Sequence, residues 1–272
     1  MRMSNPTYWD GISEKGFSLA VEKLTVKSKT QKEKTILENI NFSVKAGEFM
    51  AVVGENGIGK STLLGAIAGE VQERDTLECA GSIRIGNDYV DRPATWLLAV
   101  GVVHQSSQVD LIDHLTVAQN IALRQYFARA KSQKLMLVDD EWAQPVRDVL
   151  SRSDTNFHFG LNQLVSELSG GERQALSVMI AMLLEHKDNP CGLVLLDEHT
   201  SKLDHTNSAK VMEFTHKLVR KIRCTAIMVT HRFDDAKTYA DTICYLKDKT
   251  ATIVPNSSEL TVEKMKEYVF SK

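Results

Sequence analysis

What this 272-residue chain has little of narrows its class before any motif is read. With 5 prolines and no glycine- or serine-rich tract it shows no flexible linker and reads as one compact unit. Its 4 cysteines, Cys79, Cys191, Cys224 and Cys244, form no C-x-x-C pair, which excludes a zinc site or redox dithiol of the usual spacing and fits reduced thiols in the cytosol. Neither sign of charge dominates, because 33 Lys and Arg face 35 Asp and Glu for a net charge of −2; no broad field draws the chain to nucleic acid. The longest apolar stretch, around Leu176 to Leu184, is too short to span a bilayer. The opening residues MRMSNPTYWDGISEKG lack the apolar centre of a secretory signal. The chain is therefore expected neither to leave the cytosol by itself nor to cross a membrane.

What is present is 43% hydrophobic residues in two textures. Phe17, Leu19 and Val21, then Ile40, Phe42 and Val44, alternate with polar positions across the run SKTQKEKT and predict an antiparallel hairpin. Continuous apolar runs at Phe49–Val53, Ala99–Val103, Leu193–Leu196 and Thr225–Val229 predict strands covered on both faces, as in a parallel sheet. Val211, Phe214, Leu218, Val219 and Ile222 recur at helical spacing between the last two, so the core is α/β. From Gln105 to about His186 the texture is helical, with helices expected at Val117–Ala130, Glu141–Arg152 and Glu172–Glu185, and this stretch reads as an insertion. Ser257–Lys272 reads as a charged amphipathic helix.

The sharpest motif is Gly54-Glu55-Asn56-Gly57-Ile58-Gly59-Lys60-Ser61-Thr62, which fits G-x-x-x-x-G-K-[ST] and follows the buried run ending at Val53. In that context glycines let backbone amides turn in around a phosphate chain, a helix starting near Lys60 offers its positive end, Lys60 reaches the β and γ phosphates, and Ser61 can ligate Mg²⁺. Asp197 and Glu198 end the run Leu193–Leu196, where ligands of open α/β sheets collect. Asp197 suits the metal side; Glu198, one residue on, suits holding a water as general base. A second anion-binding helix start is written in Leu168-Ser169-Gly170-Gly171-Glu172-Arg173-Gln174.

Leu168–Gln174 matches L-S-G-G-x-R-Q, and in this respect the chain resembles the ATP-binding-cassette (ABC) ATPases over nearly its whole length. Gln105 resembles that family's Q-loop glutamine, Asp197-Glu198 its Walker B pair, Ser201-Lys202-Leu203-Asp204 its D-loop and His231 its switch histidine. The resemblance implies a P-loop NTPase (RecA-like) α/β core with a mostly parallel sheet, an N-terminal antiparallel β subdomain and an α-helical subdomain between Q-loop and signature. In this reading the chain is a single ABC ATPase domain, with 17–105 and 187–254 forming the core, 106–186 the helical subdomain and 255–272 a helical tail. It also implies the roles: Glu198, His231 and Gln105 catalytic; Gly54 to Thr62, Ser169, Gly170, Gly171 and Asp204 on ATP; Ser61, Gln105 and Asp197 on Mg²⁺. Two cassettes, two copies of this chain or this chain and a paralogue, would pair head to tail, so that Ser169 and Gly171 of one face the ATP held by Lys60 of the other.

The implied function is the ATP-hydrolysing subunit of a transporter, acting with a separate integral membrane permease at the cytoplasmic face of the inner membrane, with import and a solute-binding protein as the commonest arrangement. A soluble non-transporter cassette, such as an iron–sulfur scaffold-assembly ATPase, is the alternative. Ser201-Lys202-Leu203-Asp204 loosely fits a guanine-reading [NT]-K-x-D but stands directly behind Asp197-Glu198, the wrong place for a base reader. Two departures from the family pattern stand out. No aromatic occupies Val26–Lys34, where an adenine-stacking residue is expected near Ser28, leaving Phe17, Tyr8 or Trp9 as candidates; and His199 follows Walker B where proline is commoner.

Overall fold

Alternation at the start of the chain does give a hairpin, but as half of a larger sheet. The structure, a computed structural model, describes residues 16–30, 34–71, 76–89, 100–128, 142–144, 146–147, 157–184 and 191–271. In chain order the elements are β1 (Leu19–Ser28), β2 (Thr35–Val44), β3 (Phe49–Val53), α1 (Lys60–Ile67), β4 (Leu77–Ile85), β5 (Asp88–Tyr89), β6 (Val100–Val103), α2 (Ser107–Asp110), α3 (Val117–Ala128), α4 (Gly170–Met179), β7 (Leu193–Asp197), α5 (His205–Ile222), β8 (Thr225–Val229), α6 (Phe233–Tyr239), β9 (Thr242–Lys247), β10 (Thr250–Pro255) and α7 (Val262–Phe270). Tyr8, Trp9, Trp96, Pro145 and the ends of the helices expected at 117–130 and 141–152 lie outside the described residues.

Two compact units share the chain. One holds residues 15–102, 192–198 and 223–272; in the other, residues 103–191 join 199–222. In the first, a four-stranded sheet in the order β2-β1-β4-β5 is antiparallel throughout. Leu19, Val21, Leu24 and Val26 meet Leu37, Ile40, Phe42 and Val44 on its buried face. The second sheet runs β10-β9-β3-β8-β7-β6; β3 pairs in parallel with β8 and β9, β7 in parallel with β8, and β10 returns antiparallel along β9. Every residue of β3 and β8 is buried, as their continuous apolar sequence requires of strands covered on both faces. Met50, Val52, Leu195, Ile227, Val229 and Cys244 join Leu63, Leu64 and Ile67 of α1 and the inner face of the first sheet in one core. Each such side chain contributes about 1.5–3 kcal/mol by leaving water.

The helical unit departs from expectation at its best-defined helix. The helix expected from Glu172 starts at Gly170, because Ser169 accepts a hydrogen bond from the Glu172 amide while the Glu172 carboxylate accepts from the Ser169 amide, a capping box that draws both glycines into the first turn. From Ile180 to Leu184 it widens into a π-helical turn. α4 packs on α5, and Phe157 meets Phe214 of α5 edge to face at 5.7 Å. Met179 and Met182 are buried, as their apolar setting predicts.

Candidate functional site

The loop after β3 calls for glycine at two positions, at one for want of room and at the other for its backbone angle. A Cβ on Gly54 would lie 2.5 Å from the Leu246 carbonyl oxygen of β9, so close approach to the neighbouring strand demands glycine. Gly59, the residue before α1, has φ +111° and lies against Leu37 and Ile36 of β2. Between them Glu55, Asn56 and Gly57 are exposed, and Ile58 and Gly59 are half-buried. The first turn of α1 carries no acidic residue and no side-chain cap, so its leading amides and positive end are left for an anion.

Lys60 is almost wholly buried, at 5% exposure, and donates from Nζ to the carbonyl oxygens of Gly54 and Glu55, each at 3.0 Å. Burial pushes its ammonium below the ordinary lysine range, opposed by the charges of Glu198 and then Asp197, which favour the cation. Ser61, the next residue, donates from Oγ to Asp197 Oδ1 at 3.1 Å across 136 residues of sequence. That contact joins the start of α1 to the carboxyl end of β7. An alcohol and a carboxylate sharing one point are hard oxygen donors of the kind Mg²⁺ takes. No cluster of three or more His, Cys, Asp or Glu side chains suited to a metal exists among the described residues.

Glu198 takes up a left-handed backbone, φ +46°, with its amide donating to Val229 O at 3.0 Å. Its Oε2 lies 3.4 Å from His231 Nδ1, just past the carboxyl end of β8, with the glutamate at 17% and the histidine at 48% side-chain exposure. Lys60, Ser61, Thr62, Asp197, Glu198 and His231 thus stand at the carboxyl ends of adjacent parallel strands or in the helix that follows one, where open α/β sheets hold ligands. Phe17 lies at the far end of the sheet from Asp197: its amide donates to Gly192 O at 2.8 Å, at the amino end of β7, a strand about 17 Å long whose carboxyl end carries Asp197. Ser28 is buried, and the side chains found beside Gly59 are the aliphatic Leu37 and Ile36.

The remaining expected residues belong to the helical unit. Ser169, Gly170 and Gly171 form the first turn and cap of α4; Gly171 adjoins Asn207, and Gly170 adjoins Leu203. Asp204 caps α5, accepting from the Asn207 amide at 3.0 Å and from Asn207 Nδ2 at 2.6 Å, and these bonds hold its carboxyl below the usual range. Gln105 donates from Nε2 to Ser201 Oγ at 3.1 Å, a pairing across 96 residues that motif matching does not disclose. Also unforeseen is the anchoring of His104. Its amide donates to Asp110 Oδ2 at 3.1 Å, its Nδ1 lies 2.6 Å from Asp110 Oδ1, and its carbonyl accepts from Gln174 Nε2 at 3.2 Å. Only the last was signalled in sequence, as the closing glutamine of the signature. His199 is fully buried; Thr215 gives its hydroxyl hydrogen to Val211 O at 2.7 Å, so the imidazole donates from Nε2 to Thr215 Oγ1 at 3.3 Å. Burial pushes its pKa down to about 3.

Comparison with known proteins agrees with this geometry. A family model described as ABC transporter matches residues 37–201. A tyrosine transport ATP-binding protein of Clostridioides difficile is 31% identical over 238 residues, 86% of this chain and 90% of that protein. The aliphatic sulfonates import ATP-binding protein SsuB of Bacillus subtilis is 32% identical over 222 residues, 82% of this chain and 76% of its own length. Among solved structures, the dimeric ATP-binding cassette MJ0796 in a post-hydrolysis state bound to ADP and Pi superposes with a TM-score of 0.68 at 26% identity, covering 88% of this chain and 99% of that one.

Proposed function

The chain belongs to the ABC transporter family as one of its ATP-hydrolysing cassettes, and from this we propose that it powers solute import through a separate membrane permease. The relative named for aliphatic sulfonates import supports that direction, and the one named for tyrosine transport supports transport. In this reading the chain sits on the cytoplasmic face of the membrane, bound to the permease and fed from outside by a solute-binding protein. Among the described residues no helix is long and apolar enough to cross a membrane.

The observation that carries the catalytic reading is the 3.1 Å bond between Ser61 and Asp197, with Lys60 and Glu198 at the same end of the sheet. Ser61 Oγ, Asp197 and Gln105 would hold Mg²⁺, which when bound neutralises charge on the β and γ phosphates. The amides of Gly54 to Thr62 wrap the phosphate chain, and Lys60 exchanges its two carbonyl partners for phosphate oxygens. Glu198 accepts a proton from the attacking water as that water's oxygen bonds to the γ phosphorus and the bond to the β-phosphate oxygen breaks, leaving ADP and phosphate. His231 holds the Glu198 carboxylate in line and can donate to the γ phosphate. Ser169, Gly170 and Gly171 of a second cassette close the site from the other side, with Asp204 in the adjoining D-loop. Loss of the γ phosphate then removes the charge that both helix ends share, and the pair opens.

The test is phosphate release by the purified chain and by Glu198→Gln. The variant should bind ATP as the parent does, turn over at least about 100-fold more slowly and collect as a nucleotide-bound pair. Turnover at the parental rate would remove Glu198 from the role of base. Capture of a polytopic membrane protein with the native chain from solubilised membranes supports transport, whereas recovery of soluble assembly factors alone would overturn it.

A further inference from the structure

Resting on the reading that the signature turn of one cassette closes on the γ phosphate held by a second, we infer that Glu172 opposes this closure, its carboxylate occupying the Ser169 hydroxyl that the phosphate needs. Ser169 and Gly170 are exposed and Glu172 is half-buried at the start of α4. Glu172 Oε2 accepts from the Ser169 amide at 2.8 Å and from Ser169 Oγ at 2.7 Å, while Ser169 Oγ accepts from the Glu172 amide at 3.3 Å. Chemistry fixes the direction of each bond: an amide N–H only donates, and a carboxylate has no hydrogen to give. A serine hydroxyl carries a single hydrogen, and here that hydrogen points to a carboxylate. What the hydroxyl keeps for a second anion is a lone pair, which repels a phosphate oxygen. The Ser169 amide is engaged by the same oxygen, so the chain's own acid holds both donors of this residue. A γ phosphate gains the hydroxyl only when its hydrogen leaves Glu172. That exchange gives up a charge-assisted bond, shorter and stronger than a neutral one, with the carboxylate's own charge standing beside the incoming anion. The contact that starts α4 therefore also holds the turn in a self-occupied state, and Glu172 sets how readily two cassettes close around ATP.

Glu172→Gln separates this role from capping, because glutamine keeps the capping box with a neutral oxygen. Pairing of the full chain is measured by sedimentation equilibrium in the Glu198→Gln background, with saturating ATP and Mg²⁺, over a range of protein concentrations. Exchanging a charged hydrogen bond for a neutral one should tighten pairing about fivefold for each site closed, and about 25-fold in the dissociation constant of a pair that closes two. A residue that only caps α4 would leave pairing unchanged or weaker, and either result overturns the inference. Glu167→Gln removes the same charge two residues before Ser169 and leaves the capping box intact, so it should stay within about twofold of the parent; an equal gain there would assign the effect to charge at large and overturn the bond to Ser169 as its cause. ATP affinity of the unpaired chain should be the same in every variant, and a change in Glu172→Gln would place the effect in the chain's own phosphate loop, against the inference. Failure of the Glu198→Gln chain to pair with ATP at any concentration would overturn the shared site itself and the inference with it.

Discussion

Glu198 occupies a left-handed backbone conformation at φ +46°, a region that costs an L side chain about 1–2 kcal/mol. The strain lies where the proposed chemistry needs a carboxylate turned out of line with Asp197. Glu198→Ala and Glu198→Gly both remove that carboxylate and should both abolish hydrolysis, but glycine relieves the backbone. Denaturant unfolding should find Glu198→Gly the more stable of the two by about 1 kcal/mol, and equal stability would mean that the bend stores no strain. One residue on, His199 makes stability depend on pH. Its folded pKa, about 3, lies below the ordinary value of 6.5, so between these values the unfolded chain binds one more proton than the folded. Its contribution is present in full above pH 6.5 and is lost as pH falls toward 3, at up to about 1.4 kcal/mol per unit. The parent's unfolding free energy should therefore fall more steeply than that of His199→Gln between pH 6.5 and 5; parallel curves would place the titration elsewhere.

At the scale of elements, the joint between β3 and the phosphate loop is the least forgiving. A methyl at Gly54 would meet the Leu246 carbonyl at 2.5 Å, and backbone on both sides, tied by the β3–β9 ladder, leaves little room to yield. Gly54→Ala should lose at least about 2 kcal/mol of stability and most nucleotide affinity, read by denaturant unfolding and by titration with a fluorescent nucleotide; parental values in both would show that the strands can part. Elements with one clean period were legible in sequence. β3, β7 and β8 stand within a residue of where their apolar runs put them, and the β1–β2 hairpin pairs as its alternation requires. β4 was missed although Leu77, Cys79, Ile83 and Ile85 alternate, because Gly81 breaks the run where the register against β1 shifts between Glu22 and Thr25. β9 and β10 were missed because Asp248 and Lys249, both at positive φ, make their tight turn without the glycine that normally announces one. At the site, motif spacing found the residue types in the phosphate loop and in Asp197-Glu198. Spacing carries no information on which side chains bond across 96 or 136 residues, and so neither Gln105–Ser201 nor Ser61–Asp197 was readable as a contact.

For the molecule as a whole, the phosphate loop and the signature turn stand on different compact units of one chain. The proposed pairing of two cassettes gives each turn a ligand to meet. Ser169→Arg puts a long cation at the cap of α4 and should leave nucleotide binding by a single chain intact, while abolishing hydrolysis and the ATP-dependent pairing of the Glu198→Gln background in light scattering. Full activity in Ser169→Arg would refute a shared site. Lys60 has a consequence of another kind. Its ammonium bridges two carbonyls of its own loop at 3.0 Å each, so a ligand's oxygens must replace two neutral partners at once. A lone phosphate brings one cluster of oxygens to that exchange and a di- or triphosphate brings several, so nucleoside monophosphates should bind far more weakly than di- and triphosphates, and equal affinity in a fluorescent-nucleotide competition titration would remove Lys60 from that role.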